Sequence, residues 1–165
     1  MIQTKTTILL FLLVLLVLGL IAIYWTIKNA GFSKDWQDND WAKISIGQGE
    51  ITAELAVSWS KKSIGLSGKG SLADNQGMLF IFNQPTTPSF WMKDMKFNLD
   101  FVWINGDKIV DLSKNVPAPL SDQSQVVISP KESADKVLEI NAGTADKLNI
   151  QVGDKINIKK ITPNL

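Results

Sequence analysis

Lys93, Asp94 and Asp100 form the densest set of ionisable side chains set among apolar residues in this chain. They lie in FWMKDMKFNLDFVWING, Phe90 to Gly106, beside Trp91, Trp103, Phe97, Phe101, Met92 and Met95. An ammonium and a carboxylate walled by aromatic rings suit a small-molecule site, which is typically apolar with a few placed polar groups. Two carboxylates could also divide acid and base roles if burial separated their pKa values. The competing reading is structural. Phe90, Trp91 and Met92 would plug a core while Lys93 and Asp100 pair or cap backbone groups, because a buried charge needs a partner whatever its role.

Composition narrows the chemistry. The chain has no histidine and no cysteine, so His-dependent triads, thiolate nucleophiles, disulfides and His- or Cys-ligated metals are all excluded. No metal and no cofactor is expected. Met78, Met92 and Met95 could offer soft ligands to copper(I), but thioethers scattered in this way are more often core filler. Of the 17 basic residues only Lys5 precedes residue 28, and all 16 acidic residues follow it, so the remainder of the chain is neutral. A nucleic-acid partner would call for a basic excess, so none is expected.

Short β-leaning segments must position these residues. Ile44–Ile46 and Ile51–Val57, separated by Gly47-Gln48-Gly49, predict a first hairpin. Ser58 is placed to cap a short helix, SWSKKSIGL. The glycine-rich GLSGKGS that follows is not a phosphate loop: Ser63 stands where the first glycine is needed, and Gly70 follows Lys69 where Ser or Thr is needed. GMLFIF predicts a central strand covered on both faces. Phe97, Leu99, Phe101 and Trp103 share one face by period two, and Asn98, Asp100, Val102 and Ile104 share the other. Asn105-Gly106 predicts a type I′ turn into the return strand KIVDLSKNV. Pro117–Gln125 reads as a loop, and Val126–Ile128, Val137–Ile140 and KINIKKI read as further strands. Thr144 is placed to cap a second short helix, TADKLNI, while Asp111, Lys114 and Glu139 read as solvated strand positions. The expected fold is mostly β with a minor α part. It is a compact antiparallel β-barrel- or sandwich-like domain with two short helices, preceded by one N-terminal transmembrane helix.

That helix rests on residues 8–27, ILLFLLVLLVLGLIAIYWTI, which carry no charge. Such a run spans about 30 Å as a helix, the thickness of a bilayer's hydrocarbon core. A cleaved signal would have a shorter apolar region and a small-residue cleavage site, which Tyr24-Trp25-Thr26-Ile27 does not supply. The organisation is then a leader at 1–7, the span at 8–27, a juxtamembrane linker at 28–43 and a β domain at 44–162. Trp36 and Trp41 of the linker rest either on the membrane surface or, more simply, on the domain. The short leader resembles that of a signal anchor, giving a cytoplasmic N-terminus and an extracytoplasmic domain.

Taken together, GLSGKGSL, GMLFIF, FWMKDM, NLDFVWI with its NG turn, and LEINAGTADKLNIQVGDKI resemble the DUF192 (UPF0127) family. Its pattern runs GL-x-x-R-x-x-L, GMLF-x-F, FWMKNT, PLD, a hairpin, LE-x-x-AG and VGD. The resemblance covers about Ile51 to Ile158. It implies a small, mostly β domain, often exported or membrane-anchored, and leaves the activity open. Asp94-Met95 replaces Asn-Thr, Asn98 replaces Pro, and Lys69 stands where the pattern has Arg. Lys keeps the charge but loses the planar fork that grips an anion. Lys69 thus joins Trp91, Lys93, Asp94 and Asp100 as candidate ligand-binding residues. The function expected is a membrane-tethered extracytoplasmic module that binds a small ligand or envelope component; the alternative is a carboxylate-dependent enzyme acting on envelope material.

Overall fold

The computed structural model describes residues 12–24, 36–120 and 126–162, in two units that divide after Asp35. In the first, residues 12–24 form a helix (α1) with exposed side chains. Among the described residues no helix is long and apolar enough to cross a membrane. The leader at 1–7, both ends of the apolar run at 8–27, and the linker up to residue 35 lie outside the described residues.

Among its described residues the second unit carries nine strands and two helices. In chain order they are β1 (Trp41–Ile46), β2 (Gly49–Ala56), α2 (Trp59–Ile64), β3 (Gln76–Thr86), β4 (Phe90–Trp91), β5 (Leu99–Asn105), β6 (Lys108–Val116), β7 (Val127–Ile128), β8 (Ala134–Asn141), α3 (Thr144–Lys147) and β9 (Asn157–Ile161). Seven strands make one sheet in the order β6-β5-β8-β3-β2-β1-β9, and β4 pairs with β7 beside it. The mostly β expectation with two short helices in this unit holds. The sheet is mostly antiparallel with one departure, since β2 and β3 pair in parallel. The cause is the connection between them: it carries α2 and returns the chain to its starting end, as a parallel pair requires. The outer strands curl toward each other. Lys108 bridges Lys155, and Ile109 N donates to Asp154 O and Ile156 N to Asp107 O, joining the start of β6 to the approach of β9.

β1 begins inside the stretch expected to be linker. Ala42, Ile44 and Ile46 alternate inward with period two, and Trp36 packs against the same core. The sheet therefore has apolar packing on both faces. Leu79, Ile81, Val102, Ile104, Leu138 and Ile140 supply one core; Met78, Phe80, Leu99, Phe101, Trp103 and Val137 supply the other. β3, β5 and β8 feed both, which is why GMLFIF and LDFVWI read as near-continuous apolar runs.

Two local expectations shift by a residue. Asn105 pairs with Lys108, so the loop is Gly106-Asp107, and Gly106 alone has a left-handed φ of 62°. That is the type II′ arrangement rather than I′. At α3 the capping position is Gly143 with φ 84°, and Thr144 is the first helical residue. At α2 the expected cap is present, with Ser58 Oγ accepting from Lys61 N at 3.1 Å. Ser58→Ala should lower stability by about 1 kcal/mol in urea unfolding; an unchanged midpoint would show that the cap contributes nothing.

Candidate functional site

Between α2, the outer half of β3 and β4 lies a cavity of about 530 Å³. Its walls are apolar and aromatic: Phe80 and Phe82 come from β3, Phe90 and Trp91 from β4, and Trp59 and Ile64 from α2. Phe90 organises the wall, meeting Phe80 edge-on at 4.8 Å between ring centroids, with Phe101 and Trp103 at 5.8 and 5.6 Å. Such pairs favour edge-to-face geometry because ring faces are negative and edges positive. Trp59 is 81% exposed and Trp91 49%, so both stand open to solvent although they also line the cavity.

Glu139 is the carboxylate of the cavity lining. The expectation that it is solvated is corrected: it is 5% exposed, in the middle of β8. β8 lies between β3 and β5, and Glu139 stands opposite Met78 and Phe101. Strand period puts it on the same face as those apolar side chains. Its carboxyl makes no hydrogen bond or ion pair with the described residues, yet none of their fully enclosed side-chain polar atoms lacks a partner. Its oxygens therefore open onto the cavity. Burial pushes its pKa up to about 8, since desolvation penalises the charged form. β3 comes very close at this point: a Cβ on Gly77 would meet the Glu139 carbonyl oxygen at 2.7 Å, which explains a glycine inside a strand.

Lys62 of α2 is the ammonium of the lining. Its Nζ donates to Ile81 O at 2.7 Å and lies 4.6 Å from the centre of the Phe82 ring. Burial lowers its pKa, partly opposed by the charge of Asp38.

Of the candidate residues Lys69, Trp91, Lys93, Asp94 and Asp100, only Trp91 lines the cavity. Asp100 is fully buried in β5 and accepts from Asn115 N at 2.8 Å and Ala145 N at 2.9 Å, which ties β6 and α3 to the sheet. Lys93 and Asp94 are exposed and act through their backbone: Ser67 Oγ donates to Lys93 O, and Gly68 N to Asp94 O. These two bonds fasten the glycine-rich segment to the cavity rim. Lys69 pairs with Glu54 at 3.1 Å, and Lys61 also bonds Glu54. Burial raises the Glu54 pKa, but the hydrogen bonds from Lys61 and Lys69 outweigh it and hold the carboxyl below its usual range. Asp111, expected in solvent, is buried and accepts from Leu112 N and Lys131 N. Met78, Met92 and Met95 all sit in one apolar core, as core filler would.

Residues 42–158 match the family model DUF192, described as an uncharacterised ACR. The chain belongs to the DUF192 family. Two solved structures share the fold of its DUF192 domain. One is from Sinorhizobium meliloti 1021, described as a candidate transcription regulator. It is 31% identical, with a TM-score of 0.62, and the match covers 72% of this chain and 92% of that one. The other, from Novosphingobium aromaticivorans DSM 12444, is of unknown function. It is 28% identical with a TM-score of 0.59, over 71% and 83% of the two chains. No curated protein matches the chain.

The structure gives physical meaning to two departures from the DUF192 pattern. Asp94 stands where the pattern has Asn, at a left-handed φ of 56° that both residue types tolerate. Asn98 stands where it has Pro, and its Oδ1 accepts from Ala118 N at 2.9 Å. Both replacements serve the backbone. Glu139 is the acidic residue of the DUF192 segment LE-x-x-AG.

Proposed function

We propose that this protein is a membrane-tethered binding module whose ligand occupies the aromatic cavity floored by Glu139. One observation carries the reading. A cavity of about 530 Å³ is large enough for a small organic molecule and combines apolar walls with one carboxyl that has no partner among the described residues, the usual make-up of a small-molecule site. The tether is supported by the uncharged run at 8–27, and the short leader before it favours an extracytoplasmic domain. The enzymatic alternative draws no such support. Glu139 is the one carboxylate among the described lining residues, so a paired acid and base is not assembled there.

A test follows from the shape of the site. Full-length protein, extracted from its own membranes, should release a small molecule on denaturation, detected by mass spectrometry. Ser63→Phe, which fills the cavity from α2, should carry less than about a tenth as much, because a filled pocket leaves no room for the ligand. Equal yields from both proteins would refute the cavity as the site. Protease digestion of intact cells tests the topology, with cleavage of the β domain only after the cytoplasmic membrane is breached counting against an extracytoplasmic domain.

A further inference from the structure

Resting on the reading of the cavity as the binding site, we propose that its ligand is an organic cation with an apolar body, whose ammonium group pairs with Glu139 while its hydrocarbon part lies against Phe80, Phe82 and Phe90. Two independent features lead there. The first is charge: Glu139 has no cation within ion-pair distance among the described residues, and its oxygens open onto the cavity. An ionised Glu139 without a partner would be costly, so an arriving cation stabilises the carboxylate that the site does not hold alone. A neutral or anionic ligand does not.

The second feature is that the wall already seats an alkylammonium. Lys62 Nζ rests 4.6 Å from the centre of the Phe82 ring and donates one N–H to the Ile81 carbonyl oxygen. Aromatic faces attract cations through the ring quadrupole, the more so out of water. The same lysine forms no ion pair with Glu139; its ammonium donates to Ile81 O and faces the Phe82 ring. The other residues facing Glu139 from the adjoining strands, Met78 on β3 and Phe101 on β5, carry no charge, and Lys62 is the titratable group that α2 contributes to the lining.

The proton balance is explicit. The empty site holds Glu139 protonated around neutral pH, since burial places its pKa at about 8. Binding of a cation ionises the carboxyl and releases one proton to solvent. Affinity should therefore fall about tenfold for each pH unit below about 8 and level off above it.

Calorimetry on the full chain in lipid nanodiscs tests this with benzyltrimethylammonium and with neopentylbenzene, its uncharged carbon isostere. At about pH 8.5 the cation should bind about tenfold tighter or more, consistent with a desolvated ion pair plus a cation–π contact. At about pH 6.5, titrations in two buffers of different ionisation heat should show one proton released. Glu139→Gln should abolish the preference, the proton release and the pH dependence together. Equal binding of both compounds, with Glu139→Gln unchanged, would overturn the cationic ligand while leaving the cavity as the binding site. If neither compound binds, and Ser63→Phe carries as much co-purified molecule as the natural sequence, both readings fall.

Discussion

Glu139→Gln is expected to raise the melting temperature by on the order of 10 °C at about pH 9 and to leave it nearly unchanged at about pH 4. The direction follows from which state holds the proton. Glu139 has its folded pKa pushed up to about 8 by burial, against 4.5 for an unperturbed carboxyl. Below about pH 4.5 both folded and unfolded chains keep it protonated, and it costs nothing. Between about 4.5 and 8 the unfolded chain releases the proton while the folded one retains it. Each pH unit there lowers stability by about 1.4 kcal/mol, and the loss levels off above about pH 8. The whole cost is on the order of 4 kcal/mol. Glutamine keeps the shape and cannot ionise, so the gap between the two proteins should open with pH through that window. Parallel melting profiles from about pH 4 to 9 would mean that Glu139 is not a buried, unpartnered acid.

Asp100→Ala should do the opposite and irrespective of the cavity. Its carboxylate satisfies Asn115 N and Ala145 N from a fully buried position, and α3 has no side-chain cap of its own. Removing it strands two backbone donors and leaves a void, at about 3–5 kcal/mol. Asp100→Asn keeps one acceptor oxygen and should lose roughly half of that. Urea unfolding gives the magnitude, and hydrogen exchange at Ala145 should accelerate in both variants. Unchanged stability together with lost ligand binding would return Asp100 to the binding site and remove it from the scaffold.

The contrast between these two acids shows what the sequence could tell. Strand periodicity located β5, β6, β9 and the apolar parts of β3 and β8, because each carries its own apolar alternation or a continuous run; β3 runs on to Thr86 and β8 begins at Ala134. The parallel pairing of β2 with β3 is not written in either strand; it depends on where the nineteen-residue connection at 57–75 returns. Asp100 drew notice because it sits amid aromatics, yet backbone amides from two distant segments satisfy it, and those contacts have no local signature. Glu139 did have one. It is a single acid inside the apolar run Val137-Leu138-Glu139-Ile140. Solvent exposure was the simpler expectation for a charged side chain. It failed because both faces of β8 are covered, a fact visible only once β3 and β5 are seen on either side. Trp91 was the one candidate that the fold carried to the cavity, and Lys62 had no feature in sequence to set it apart from Lys61.

β1 runs antiparallel to β9, with Trp41 opposite Ile161. A load applied through residues 36 and 162 would therefore enter the sheet at one end of a single ladder. It would peel β9 from β1 one backbone bond at a time, in the manner of a zipper, instead of shearing all of them together. That geometry yields under weak force. The cavity lies beyond β2 from that ladder, so the domain could be stretched open at its outermost strand while Glu139 and its aromatic walls remain assembled.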